Sequence, residues 1–283
     1  MNYNNKNKLK DELNLLRASG YSIGFVPTMG ALHQGHISLM ELALQSCDQV
    51  VVSIYVNPTQ FDNSEDLAKY PNQLDQDLSL IKASFSDDQI IVYTPLTQDI
   101  YGDEPQSKHY DFGDLGLQME GAQRPGHFDG VGTILEYFFE LIQPDMAFFG
   151  EKDFQQLLIV RELVRQLELS VKIVGCPIAR DSVGLALSSR NARLSEQGKI
   201  TATAINKSLH VMKEGFLTAT IDELLATARE FLDHTTGIET EYVSIVDEQT
   251  LRPVSSKAPG LPIRAFVVAH IEGVRLIDNM KLN

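Results

Sequence analysis

Val50-Val51-Val52-Ser53-Ile54-Tyr55-Val56 is a run of β-branched and aromatic side chains without the regular polar alternation of a half-exposed strand. Such a run suits a strand buried on both faces, the environment at the centre of a parallel sheet. On its N-terminal side, residues 22–26 read as a second short strand. Residues 28–32 read as a glycine-containing loop, and residues 35–46 as a helix with Ile37, Met40 and Leu44 inward. Before these, Leu9, Leu13 and Leu16 recur at helical spacing, with Gly20 as a stop. On the C-terminal side the alternation continues. A helix follows Pro71, then come a strand at 90–93, a helix at 131–142, a strand at 146–149, a helix at 153–167 and a strand at 171–174. Strand–helix alternation of this length predicts an α/β domain with a doubly wound parallel sheet, its ligands beyond the carboxyl ends of the strands.

The pattern changes near residue 180. Helices at 200–213 and 221–232 precede β-runs at 241–246 and 263–277, which predicts a smaller α+β C-terminal domain. The division expected is 1–178 and 179–283. Thr220 and Glu223 have capping-box spacing, and Glu272-Gly273 reads as a hairpin turn. Two long connections, 57–70 and 113–132, are candidates for lids or binding loops.

Composition narrows the function. With a formal charge of -14 over 283 residues, the surface opposes binding modes that release counterions from a polyphosphate backbone, so nucleic acid is not an expected partner. Cys47 and Cys176 form no C-x-x-C pair, which fits a reducing cytoplasm and no thiolate metal site. No signal peptide or membrane-spanning run is read in the sequence.

Three segments carry the candidate chemistry. In Pro27-Thr28-Met29-Gly30-Ala31-Leu32-His33-Gln34-Gly35-His36, two histidines three apart sit at a helix start, where main-chain N–H groups and the positive end of the dipole suit a phosphate. A packed turn or a zinc pair are the alternatives, but His109, His127, His210, His234 and His270 are scattered and no cysteine cluster accompanies the pair. Gly150-Glu151-Lys152-Asp153 follows the strand at 146–149, placing an ammonium at the sheet edge; a solvated helix cap is the alternative. Gly184-Leu185-Ala186-Leu187-Ser188-Ser189-Arg190-Asn191 offers two hydroxyls and a guanidinium as a phosphate clamp, with a polar turn and helix cap as the alternative. Asp75 and Asp77 are conceivable Mg²⁺ ligands, although the expectation there is a solvated helix face, and the metal ligands are left unknown.

Taken in order, these segments resemble the pantothenate synthetase (pantoate:β-alanine ligase) family of the nucleotidyltransferase superfamily, which carries an H-x-G-H element. The likeness also takes in Val56-Asn57-Pro58-Thr59-Gln60-Phe61, Tyr70-Pro71, Glu120-Gly121-Ala122, Arg124-Pro125-Gly126-His127-Phe128, Gln143-Pro144-Asp145 and Phe154-Gln155-Gln156. The resemblance implies a Rossmann-like first domain, a C-terminal lid and a cytoplasmic homodimer. It also implies a reaction in which ATP, with Mg²⁺, activates pantoate as an adenylate that β-alanine then attacks. Carried over residue by residue, Met29, Gly30, Ala31, Leu32, His33, Gln34, Gly35 and His36 would contact ATP, with His36 as proton donor and His33 beside it. Lys152 would neutralise the transferring phosphate. Gly150, Glu151, Asp153, Ala179, Leu187, Ser188, Ser189 and Arg190 would complete the nucleotide site. Gln60 would meet pantoate and β-alanine, Gln156 would meet pantoate, and residues 120–128 would cover the site. Asn72, Tyr137, Glu140 and Val183 depart from the family's usual residues.

Overall fold

The computed structural model describes residues 1–61, 67–68, 70–86 and 88–283; much of the expected connection at 57–70 falls outside them. Contacts divide the chain into two compact units. The first comprises Met1–Glu151 and Gln155–Pro177, and the second Lys152–Phe154 and Ile178–Asn283.

The first unit is built on β1 (Asn2–Tyr3), α1 (Lys6–Ala18), β2 (Ile23–Thr28), α2 (Gln34–Leu44), β3 (Gln49–Ile54), α3 (Leu74–Ser84) and β4 (Ile90–Tyr93). Three short helices follow, α4 (Thr97–Tyr101), α5 (Asp114–Leu117) and α6 (Met119–Gln123). The unit is completed by α7 (His127–Ile142), β5 (Met146–Gly150), α8 (Phe154–Gln166), whose first residue belongs to the second unit, and β6 (Lys172–Cys176). The strands form one sheet in the order β1-β4-β3-β2-β5-β6, with every pair parallel. Val50, Val51 and Val52 are fully buried, as a central strand requires. Successive residues of β2 face opposite layers: Val26 joins the cluster with Ile37 and Met40 of α2, while the Phe25 ring meets Phe138 and Phe139 of α7 edge-on. Helices on both faces make the sheet doubly wound. From β2 the chain moves outward to β3 and β4, then returns to place β5 on the other side of β2. The carboxyl ends of β2 and β5 therefore flank the switch point, where ligands of open α/β sheets bind.

Several boundaries differ from the sequence reading. The edge strand β1 was not anticipated, because two residues carry no pattern. The region 113–132 is largely helical, and α7 begins at His127, four residues before the expected start, because Gly126 at φ 79 turns the chain into it. Residues 120–128 are accordingly the end of α6, a short link and the first turn of α7, and not an open loop.

In the second unit, α9 (Glu196–Gly215) and α10 (Ile221–Asp233) precede β7 (Glu239–Asp247), β8 (Ile263–Ile271) and β9 (Val274–Lys281), an antiparallel sheet in that order. The expected capping box forms: the Thr220 hydroxyl accepts the Glu223 N–H, and the Glu223 carboxylate accepts the Thr220 N–H. Glu272 and Gly273, at φ 52 and 72, make the expected two-residue turn with both centres left-handed. Leu209, Met212, Ala228, Leu232, Ala265 and Val267 form its core.

Candidate active site

The first unit carries the histidine pair. β2 ends at Thr28 and the chain enters α2 through Gly30 (φ 78) and Ala31 (φ 50), two successive left-handed residues. His33 is the N-cap of α2. Its Nδ1 accepts the Gly35 N–H at 3.1 Å, and the Nδ1 of His36 accepts the His33 N–H at 3.2 Å. The two imidazoles thus form a reciprocal cap in place of the usual hydroxyl and carboxylate. The geometry also sets the tautomer, because a neutral ring that accepts at Nδ1 carries its proton on Nε2. Both rings, with centroids 4.1 Å apart, are arranged as Nε2–H donors.

Most of the main-chain N–H groups of this segment have partners inside the protein. The Gly30 N–H is bound by the Thr28 hydroxyl at 3.2 Å. The N–H groups of Ala31 and Leu32 go to the two carboxylate oxygens of Asp77, at 2.9 and 2.8 Å. Those of His33 and Gly35 are taken by the histidine cap, and that of His36 by the His33 carbonyl. These amides are engaged within the fold, and the same cap places the ring protons of His33 and His36 on Nε2. Asp77, at 1% exposure, is not on a solvated face; Asp75 is.

Gln60 ends a 3₁₀ turn, Pro58–Gln60, beyond β3 and is buried. Its amide reaches the Met29 sulfur, which brings the expected acid-binding glutamine beside the loop expected to meet ATP. Its carbonyl accepts from His127 Nδ1 at 2.7 Å and from Arg124 at 3.4 Å, and the Asn57 amide reaches its Oε1 at 3.3 Å. Asn57, fully enclosed, also donates to the Gly130 carbonyl at 3.0 Å. Gly130 must be glycine, since a Cβ there would lie 2.4 Å from the Thr59 carbonyl oxygen. The sequence places Asn57, Arg124 and His127 within motifs without assigning them a task; the X-Pro turn at Asn57-Pro58 is the local signal.

Gln156 lies half-buried in the first turn of α8, downstream of β5, the neighbour of β2. Beside it Gln155, at 4% exposure, spends its whole amide on the segment 115–120. It donates to the carbonyls of Leu115 (2.7 Å) and Gln118 (2.8 Å) and accepts the Glu120 N–H (3.0 Å). Both cysteines are buried; burial, and then the charge of Glu151, push the Cys176 thiol up to about 11, which removes it as a nucleophile.

The second unit carries the cation and the hydroxyls. Lys152 sits in a 3₁₀ turn, Glu151–Asp153, with Asp153 at 3.5 Å. The Lys152 carbonyl accepts from Asn279 of β9 at 2.9 Å, and the Phe154 ring lies under the Arg264 guanidinium at 3.8 Å. Arg264 is itself held by Glu248 and by Asn279 Oδ1. Ala179 and Leu187 are brought together, the Leu187 N–H donating to the Ala179 carbonyl at 2.9 Å beside the Arg180–Ala186 bridge. Arg180 forks onto the buried Asp278 at 2.6 and 2.9 Å and so fixes this hairpin to β9. Ser188 caps the turn Ser189–Arg193 by accepting the Arg190 N–H, as the cap alternative for this segment describes. Val183, where the family pattern departs, is exposed and its N–H is bound by Asp181; Tyr137 instead donates or accepts at Tyr93, 3.0 Å away.

A family model for pantoate-beta-alanine ligase matches residues 2–281. The chain belongs to that family. The pantothenate synthetase of Christiangramia forsetii is 47% identical over 281 residues, 99% of each chain. A crystal structure of pantothenate synthetase from Thermus thermophilus superposes with a TM-score of 0.90 at 37% identity, covering 99% of both chains. One from Francisella tularensis, complexed with beta-gamma ATP and beta-alanine, superposes at 0.79 with 33% identity, covering 100% of this chain and 97% of that one. This chain is therefore an enzyme, a ligase of pantoate and β-alanine, on an α/β fold with a small antiparallel C-terminal sheet. Among the described residues no helix is long and apolar enough to cross a membrane.

Proposed function

We propose that the enzyme joins (R)-pantoate to β-alanine in two steps on a site centred on His33 and His36. In the first, a pantoate carboxylate oxygen attacks the α-phosphorus of ATP and diphosphate leaves, giving pantoyl adenylate. In the second, the β-alanine amine attacks the acyl carbon and AMP leaves with its phosphate charge, giving pantothenate. The observation that carries this reading is the reciprocal histidine cap: acceptance at both Nδ1 atoms fixes the two neighbouring rings and puts the proton of each neutral ring on Nε2, a donor suited to charge that develops on phosphate. His36 is assigned as proton donor and His33 as its companion.

Residues 29–36, Gly150, Glu151, Lys152, Asp153, Ala179, Leu187, Ser188, Ser189 and Arg190 are assigned to ATP, with Lys152 neutralising the transferring phosphate as a compact charge. Gln60 is assigned to pantoate and β-alanine and Gln156 to pantoate, since an amide offers a donor and an acceptor to a hydroxy acid. The Francisella relative, complexed with beta-gamma ATP and beta-alanine, supports these substrates. Mg²⁺ is assigned as a partner of ATP, carried by phosphates and water. Among the described residues no group of three or more His, Cys, Asp or Glu is placed to hold an ion, and the Asp77 oxygens are engaged by Ala31 and Leu32. A homodimer in the cytoplasm is part of the same reading, drawn from the family likeness and the absence of a cysteine framework.

Product analysis tests the reaction. AMP and diphosphate are expected only with both pantoate and ATP present, and β-alanine is expected to speed turnover and appear in an amide. Turnover without pantoate, or a product that retains the nucleotide, would sink the proposal.

A further inference from the structure

We infer that Asp77 is a positioning residue for ATP activation, acting through the backbone of Ala31 and Leu32. The inference rests on the placement of ATP at residues 29–36 and goes beyond it. Successive main-chain N–H groups in a turn can point to one side, forming a concavity that binds an anion. The turn through Gly30 and Ala31 presents two such N–H groups to the protein's own carboxylate, Asp77, with Oδ2 on Ala31 and Oδ1 on Leu32. Asp77 comes from the first turn of α3, forty-five residues further along the chain than Leu32, and is 1% exposed.

Such a carboxylate has a reason to be there. A non-glycine residue at φ 50 is strained and persists where its surroundings hold it. On the opposite side, Thr28 accepts the Gly30 N–H while donating to the Ser53 carbonyl, so the loop is pinned between β3 and α3. The fit is close: a Cβ on Gly30 would lie 2.9 Å from Asp77 Oδ2. Leu32 is bonded directly to His33, so the anchor sets where the N-cap falls and hence how both imidazoles are aimed. Asp77 thereby acts on the first half-reaction without touching a substrate.

The test separates the half-reactions in the full-length enzyme. Asp77→Asn keeps the size but opposes an amide donor to one of the two N–H groups. Pantoate-dependent exchange of diphosphate into ATP is expected to slow at least tenfold, chiefly through a raised KM for ATP. Reaction of preformed pantoyl adenylate with β-alanine is expected to stay within about twofold of the parent. A general folding defect lowers both rates together and overturns the inference, as does unchanged exchange. Recovery of the variant at raised Mg²⁺ or Mn²⁺ also overturns it, by making Asp77 a metal ligand. Should the variant not fold, hydrogen exchange in the parent decides: the Ala31 and Leu32 amides are expected to be strongly protected, and free-amide rates there refute the anchor. His36→Ala run in parallel distinguishes the two readings. Lost exchange in His36→Ala with normal exchange in Asp77→Asn removes only the role of Asp77, whereas normal exchange in His36→Ala removes the placement of ATP itself.

Discussion

The Nδ1 of His36 accepts the backbone N–H of His33 at 3.2 Å, so one side chain both starts a helix and aims its neighbour. His36→Ala is expected to lose a preorganised donor and a cap at once. The first costs about 3 kcal/mol of transition-state stabilisation, or roughly a hundredfold in rate. The second costs about 1 kcal/mol of stability. Diphosphate exchange and a thermal melt on the same sample check both; a rate within a few fold of the parent contradicts the assignment.

Gly130→Ala is expected to act on the acid rather than on the nucleotide. The added methyl meets the Thr59 carbonyl and Gln60 backbone at 2.4–2.6 Å, contacts that rigid backbone must relieve by moving. The expected cost is about 1–3 kcal/mol of stability, with KM for pantoate and β-alanine raised more than KM for ATP. Steady-state kinetics with each substrate varied in turn measures this.

Asn279→Ala removes the amide that holds the Lys152 carbonyl and the oxygen that meets Arg264. Loss of the bond to the Lys152 carbonyl and of one acceptor of Arg264, which keeps Glu248, is expected to lower stability by about 1–3 kcal/mol. If Lys152 acts on the transferring phosphate, kcat falls with KM for β-alanine little changed. A denaturant titration and initial rates report the two effects; loss of stability with kcat intact would separate the clamp from catalysis.

Glu241 gives the second unit an acid-sensitive contact. Hydrogen bonding to Arg275, opposed by burial and aided by His270, holds its carboxyl below its ordinary 4.5. The ionised form is thus favoured in the folded state. Its contribution is present above about pH 4.5 and is lost as pH falls through the lower folded value. Glu241→Gln is expected to reduce stability by on the order of 1 kcal/mol or less near pH 7 and to match the parent once the carboxyl is protonated. Melting both proteins between pH 3 and 8 checks the convergence.

What the sequence disclosed was whatever depends on neighbours along the chain. Val50–Val52 announces a central strand because both faces demand apolar residues, and Glu272-Gly273 announces a turn because few residues accept two left-handed centres. Asn2-Tyr3 disclosed nothing, since its pairing with β4 uses only backbone. The histidine pair was recognised, but the reading gave its main-chain amides to phosphate. That the Ala31 and Leu32 amides are already engaged depends on Asp77, a residue whose helical position looked no different from that of the exposed Asp75. Gln155 and Asn279 were silent for the same reason: an amide saturated by distant backbone has no local signature.

The grouping of Lys152–Phe154 with Ile178–Asn283 bears on how genes of this kind can be shuffled. A crossover at 177/178 between two divergent relatives would look clean on a linear map. It would nevertheless pair one parent's Asn279 and Arg264 with the other parent's Lys152 and Phe154. Viable chimeras are expected to inherit the triplet and β9 from a single parent, so the linkage that matters runs between segments more than a hundred codons apart.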